Sequence, residues 1–225
     1  MLELRELNFS YANQGFALSV PELTLQSGEA IALLGPSGSG KTTLLNLLAG
    51  ILTPSSGQIM LNGENLSLLS SRERRQHRLR HVGMIFQSFE LLDYLDVGDN
   101  ILLQGRLCPG QVVDEQFKRH ARQIADELGI GDKWHRNIEA LSQGERQRVA
   151  VCRSLLLDPG LVLADEPTGN LDPDNKVIAL QKLVANCRQH QRILLTVTHD
   201  HSLLGEFDRV IDMATLSLFQ DSQHA

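Results

Sequence analysis

Apolar and polar positions alternate through residues 2–25, with turn chemistry at Asn13, Gln14 and Gly15. A period of two sends successive side chains to opposite faces, so this stretch predicts antiparallel strands with solvent on one side. The pattern then changes. EAIALLG (29–35) is an unbroken apolar run, as expected of a strand covered on both faces. It enters a glycine-rich stretch, after which residues 41–49 read as a helix. GQIMLNG predicts a further strand, SSRERRQHRLRH a basic helix with few apolar positions, and VGMIFQ a return to a buried strand.

Residues 88–140 carry a helical pattern, clearest near 114–128, where Val113, Phe117, Ala121, Ile124 and Leu128 share one face and Gly129 ends the run. A helix from Gln143, the strand LVLAD, a helix over 173–189, the strand RILLTVT and a last strand near RVIDMA follow. Strands alternating with helices imply a largely parallel α/β sheet. The 88–140 block interrupts that alternation, which predicts one domain whose core (1–87 and 141–225) carries an inserted helical subdomain. The tail FQDSQHA is expected to fray.

Composition narrows the picture. With 225 residues, 42% hydrophobic and 4% aromatic, the chain can build one large, mostly aliphatic core. A formal charge of -6 argues against a general nucleic-acid binder. Cys108, Cys152 and Cys187 are odd in number and unpaired in spacing, as expected of buried thiols in a reducing compartment. The longest apolar windows fall well short of the roughly 20 residues that span a bilayer. MLELRELNFSY has no apolar signal core. These features predict a cytoplasmic protein that meets a membrane only through a partner.

Three short stretches carry chemistry. In GPSGSGKT, Gly35 and Gly40 bracket four residues and precede Lys41 and Thr42, the phosphate-loop pattern. Glycines let backbone N–H groups converge on phosphate oxygens, and the following helix turns its positive end toward the same anion. Lys41 is placed for the β- and γ-phosphates and Thr42 for Mg²⁺. LVLADEP ends a buried strand on Asp165, fit to orient Mg²⁺ through water, and on Glu166, fit to polarise an attacking water. Ser142 and Glu145 form a capping box ahead of Val149, Cys152 and Leu156. Capping leaves Gly144 unexplained, since glycine costs about 1 kcal/mol in a helix relative to alanine. A close approach to the backbone would explain it.

Taken in order, these stretches resemble the motifs of the ATP-binding cassette (ABC) ATPases over nearly the whole chain. Leu141-Ser142-Gln143-Gly144-Glu145 is similar to the signature motif, with Gln143 where the family usually has glycine. Gly35, Pro36, Ser37, Gly38, Ser39, Gly40, Lys41, Thr42 and Thr43 match Walker A. Asp165 and Glu166 match Walker B, and Gln87 the Q-loop. Asp172 matches the D-loop, His199 the switch histidine, and Tyr11 the aromatic residue that stacks on adenine.

The resemblance implies a P-loop NTPase (RecA-like) core with an N-terminal antiparallel β-subdomain and an inserted helical subdomain. It implies ATP and Mg²⁺, held through Thr42, Gln87 and Asp165, and hydrolysis promoted by Glu166 and His199. It further implies a second cassette packed head to tail, so that the signature of one copy faces the γ-phosphate held by the other. That arrangement would explain why Ser142 opens a second cradle with no lysine.

Taken singly, several of these residues have plainer readings. Tyr11 suits a strand aromatic, Gln87 a polar strand end, and Asp172-Pro173 a helix cap and first turn. His199, with Asp200 and His201, suggests a metal set, but two histidines lack a credible third ligand, and a strand-end His199 touching the γ-phosphate is the stronger reading. The basic run from Arg72 to Arg80 reads as a solvated helix face. DEPTGNLD and the compact length resemble the bacterial subgroup serving lipoprotein release, macrolide export and cell division. That likeness implies an ATPase on the cytoplasmic face of the inner membrane that energises a permease and touches neither nucleic acid nor the cargo. A nucleotide-switched scaffold in cell division is the alternative. SFELLDYLDVGDNI lies where the family receives coupling helices, and Phe89, Leu91, Leu92, Tyr94 and Leu95 suit either that interface or the helical core.

Overall fold

The two periods of the sequence become two sheets. The computed structural model describes residues 1–11 and 16–217, so the expected turn at 13–15 and the tail 219–225 lie outside the described residues. In chain order the elements begin with β1 (Leu2–Ser10), β2 (Ala17–Leu25), β3 (Ala30–Leu34), α1 (Lys41–Leu48), β4 (Ser56–Leu61) and β5 (Glu64–Asn65). Next come α2 (Ser71–His81), β6 (Val82–Ile85), α3 (Val97–Leu107) and α4 (Glu115–Glu127). Then follow α5 (Gln143–Leu155), β7 (Leu161–Asp165), α6 (Pro173–Gln189), β8 (Ile193–Val197), β9 (Arg209–Asp212) and α7 (Met213–Leu216).

The antiparallel sheet has the order β2-β1-β4-β5. Leu2 and Leu4 point into the core, and so do Leu7 and Phe9, although strict alternation would turn them out. A bulge between Arg5 and Asn8, with Glu6 at φ 48°, shifts the phase by one residue and restores the inward face.

The second sheet, β6-β7-β8-β3-β9, is parallel throughout. Its unbroken apolar runs serve two cores at once. Ala30, Ala32, Val162, Ala164 and Leu194 face a cluster with α3, α4, α5 and α6. Their neighbours Ile31, Leu33, Leu161, Leu163 and Leu195 face a cluster with α1 and the antiparallel sheet. Each fully buried leucine here contributes about 1.5–3 kcal/mol over the exposed state. The α/β P-loop fold with its antiparallel sheet is therefore as the sequence predicts.

Two expectations are corrected. Residues 88–96 are turns rather than helix, and α3 begins only at Val97 behind the cap Asp96. Buried Asn100 holds that segment in place, accepting from Leu92 N and donating to the carbonyls of Leu92 and Asp96. The last strand stops at Asp212, whose carboxylate caps Ala214 N and starts α7 at Met213.

Candidate nucleotide site

Register brings the motifs together. Ile85 pairs with Ala164, Ala164 with Thr196, and Thr196 with Ala32, so the carboxyl ends of four strands lie level. Gln87 follows β6, Asp165 ends β7, His199 follows β8, and the glycine-rich loop follows β3. This is the edge of an open parallel sheet at which ligands bind.

The loop from Gly35 to Gly40 delivers the chain into α1. Gly40 has φ 91°, and a Cβ there would meet the Phe16 ring at 2.8 Å, so both backbone and space demand glycine. No side chain caps α1. Its first N–H groups therefore lack the intrahelical partners that later residues have, which is the setting for an anion. Lys41 Nζ donates to the carbonyls of Gly35 (2.7 Å) and Pro36 (2.8 Å), keeping the ammonium at the loop. Ser39 Oγ is buried without a partner among the described residues.

Opposite the loop, Thr42 Oγ1 donates to Asp165 Oδ2 at 3.0 Å. Burial pushes the Asp165 carboxyl above its usual range; the Thr42 hydrogen bond opposes this, while neighbouring Glu166 adds to it. Glu166 turns out of the strand at φ 46°, held by its N–H on Val197 O. One carboxylate oxygen lies 3.0 Å from His199 Nδ1, and the other accepts from Gln87 Nε2 at 3.4 Å. Asn170 Nδ2 donates to Gln87 O at 2.8 Å and fixes that residue from behind. His201 and Asp200 join no metal set among the described residues. Asp200 instead bonds Lys176, and this with Ser202 holds its carboxyl down at about 2.

Tyr11, Phe16, Ser37, Gly38, Gly40, Lys41, Thr42, Thr43, Gln87, Asp165 and Glu166 line one cleft of about 420 Å³. Tyr11 packs edge-on to Phe9 and approaches Thr43 Oγ1 through its hydroxyl. Phe16 joins this aromatic wall and was not legible as a site residue, although its proximity to Tyr11 in sequence was a signal.

Ser142, Gln143, Gly144 and Glu145 do not line the cleft. They open α5, where the predicted capping box is present. Glu145 N donates to Ser142 Oγ, and Ser142 N donates to Glu145 Oε2 at 2.8 Å. Lys133 pairs with the same carboxylate, and these contacts together pull it down to about 2. Gly144 meets no packing demand: a Cβ there would find Arg148 at 3.7 Å and Leu171 at 3.8 Å, ordinary contacts. Asp172 caps α6 through Asn175 N, with Pro173 in the first turn.

This is the architecture of a nucleotide-hydrolysing P-loop protein. The ABC transporter family model matches residues 18–169, and the chain belongs to that family. It is 39% identical to the lipoprotein-releasing system ATP-binding protein LolD 1 of Rhodopirellula baltica, over 95% of this chain and 93% of that protein. It is 38% identical to the ABC transporter ATP-binding protein YxdL of Bacillus subtilis, over 98% and 86%. Among solved structures, a dimeric post-hydrolysis state of the cassette MJ0796 bound to ADP and Pi is similar at TM-score 0.82, 25% identity and 94% of each chain. The cassette cbiO1 of Clostridium perfringens, part of the complex cbiONQ, is similar at TM-score 0.84 and 27% identity, over 94% of this chain and 83% of that one. The chain is an ATP-hydrolysing subunit that energises an ABC transporter.

Proposed function

We propose that two copies close head to tail on two ATP molecules, each pocket taking its phosphate loop from one chain and its signature helix from the other. The observation that carries this is the glycine at position 144: no tight contact among the described residues demands it, and it lies off the cleft. Tyr11 stacks on the base, the loop from Gly35 to Thr43 holds the phosphates, and Ser142 with Gln143 and Gly144 meets the γ-phosphate from the second copy. Glu145 keeps that helix capped, and Asp172 lies along the contact between copies. Glu166 accepts the proton of the attacking water, with His199 orienting its carboxylate.

The donor set suits Mg²⁺. Thr42 Oγ1 and Asp165 Oδ2 are hard oxygen donors 3.0 Å apart. Neighbouring ligands of an octahedral Mg²⁺ with bonds of about 2.1 Å lie about 3.0 Å apart. Thr42, Asp165 and Gln87 would hold the ion, which when bound neutralises developing phosphate charge.

No helix among the described residues is long and apolar enough to cross a membrane. The likeness to transporter ATP-binding subunits supports a place at the cytoplasmic face on a permease partner. The groove of about 290 Å³ lined by Leu79, Met84, Phe86, Leu103, Leu107 and Arg153 suits a partner helix. Of the apolar residues 89–95, Tyr94 is 80% exposed, whereas Phe89 is buried. The segment 88–140 acts as the helical arm between permease and nucleotide. No observation favours the cell-division scaffold.

Mixing tests the shared pocket. Lys41→Ala spoils one chain's loop and Gly144→Asp the other chain's signature, so each variant alone should be inactive. A mixed dimer holds one pocket with both halves intact and should recover hydrolysis. Failure to recover activity from two folded, dimer-forming variants would refute the reading.

A further inference from the structure

The turn after Gln87 is backbone-strained. Phe89 (φ 63°) and Glu90 (φ 49°) are consecutive non-glycine residues in the left-handed region, where a Cβ crowds the following carbonyl. Such a pair persists only where its surroundings over-determine it. Here the Phe89 ring is buried, its N–H donates to Phe86 O and Ser88 Oγ donates to the Glu90 carboxylate, but the two carbonyls of the pair are held by one side chain. Arg153 Nη1 donates to Glu90 O at 2.6 Å and Nη2 to Phe89 O at 2.7 Å. The planar fork of the guanidinium fits two successive carbonyls that both point its way, as a lysine ammonium would not.

Arg153 sits in the last turn of α5, the helix that Ser142 opens. Its carbonyl partners lie two and three residues beyond Gln87, whose amide approaches Glu166 and whose own carbonyl is tied to Asn170. Glu90 and Arg153 also line the groove beside α3. One guanidinium thus joins the signature helix, the segment carrying Gln87 and the floor of the groove.

We propose that Arg153 is a positioning residue for hydrolysis: its fork holds Phe89 and Glu90 left-handed and thereby sets Gln87 against Glu166. The inference rests on the roles given above to Gln87 and Glu166. Through this clamp, a shift of α5, or of a partner seated on Glu90, changes the hydrolytic geometry without changing the nucleotide cradle.

The test uses the full chain and four variants. Arg153→Met keeps an apolar stem but removes the fork. It should lower kcat roughly ten- to a hundredfold, the scale of a displaced reacting group, and leave KM for ATP unchanged. Glu90→Gly relieves one of the two left-handed residues, so adding it to Arg153→Met should restore part of kcat. Glu90→Gly alone gives the reference rate. A purely structural arginine would not be rescued by a glycine that removes a further side chain.

Gln87→Ala separates the two readings. If Gln87→Ala lowers kcat while Arg153→Met does not, the clamp is wrong and the site reading stands. If Gln87→Ala keeps full kcat, both fall. A rise in KM matching the loss in kcat, or no recovery in the double variant, also overturns the clamp. Should Arg153→Met fail to fold, Arg153→Lys is measured in the same way and read by the same outcomes.

Discussion

Nδ1 of His199 lies 3.0 Å from Oε1 of Glu166, and this contact fixes a carboxylate whose other oxygen already has Gln87 as its donor. With both oxygens engaged and the backbone turned at φ 46°, Glu166 has little freedom to swing away from an attacking water. Glu166→Gln keeps the shape and removes the proposed base. It should lower kcat about 10²- to 10⁴-fold, the range of general-base catalysis, while ATP binding persists. Phosphate release and ATP-dependent dimers on size exclusion measure the two effects. Hydrolysis at the wild-type rate would remove Glu166 from the reaction.

Lys41 directs its ammonium to two carbonyls of its own loop, Gly35 and Pro36. A polyphosphate offers stronger, charge-assisted acceptors at the same place. Such bonds contribute about 1.5–3 kcal/mol each, so Lys41→Ala should weaken ATP binding by at least about tenfold in calorimetry. Unchanged affinity would mean that the loop is not the phosphate cradle.

The Lys133–Glu145 pair makes stability depend on pH at the mouth of the signature. The Glu145 carboxyl is held at about 2, below its ordinary 4.5, by Lys133 first and then by Ser142 N–H. A lowered folded-state value stabilises the fold above pH 4.5, and that stability is lost as pH falls from about 4.5 toward 2. Solvent screening limits the pair to about 1 kcal/mol. Lys133→Met should lower stability by that amount at pH 7, and the difference from wild type should shrink toward pH 3. Asp200 titrates with the same sign but is common to both proteins, so it cancels. Parallel urea melts at the two pH values give the comparison, and a constant difference would contradict the pairing.

The sequence was most informative where one backbone period or one local motif decides the outcome. The buried strands β3, β7 and β8 were legible because each of their faces meets apolar partners. The loop before α1 was legible because its chemistry needs glycines at fixed spacing. Residues 88–96 leave the helical pattern because Asn100 takes up the backbone groups of Leu92 and Asp96 and holds them in turns, with Phe89 buried and Tyr94 exposed. The bulge at Glu6 was hidden because strand phase is reset by pairing with β4. Asn170 and Arg153 were missed because each acts on a backbone carbonyl far away in sequence, which leaves no spacing to recognise. Arg153 left one weak trace, a charged position within the otherwise apolar run VAVCRSLLL.

Gly144 offers a test in which folding and function move in opposite directions. Within its own chain an alanine fits, since the nearest atoms to its Cβ would be 3.7 Å and 3.8 Å away. No left-handed φ is required there either. Gly144→Ala should therefore leave the isolated chain as stable as before or stabilise it by up to about 1 kcal/mol, the helix-propensity difference. On the proposed head-to-tail pairing, the same methyl group stands where the γ-phosphate held by the second copy approaches the backbone. Hydrolysis should fall at least about tenfold, a loss of about 1.4 kcal/mol in the closed state. Nucleotide binding to the open monomer should not change, because the cleft lies elsewhere in the chain. Thermal melting, calorimetry on the monomer and steady-state hydrolysis separate these effects. A variant that is more stable and fully active would show that glycine is not needed for close approach.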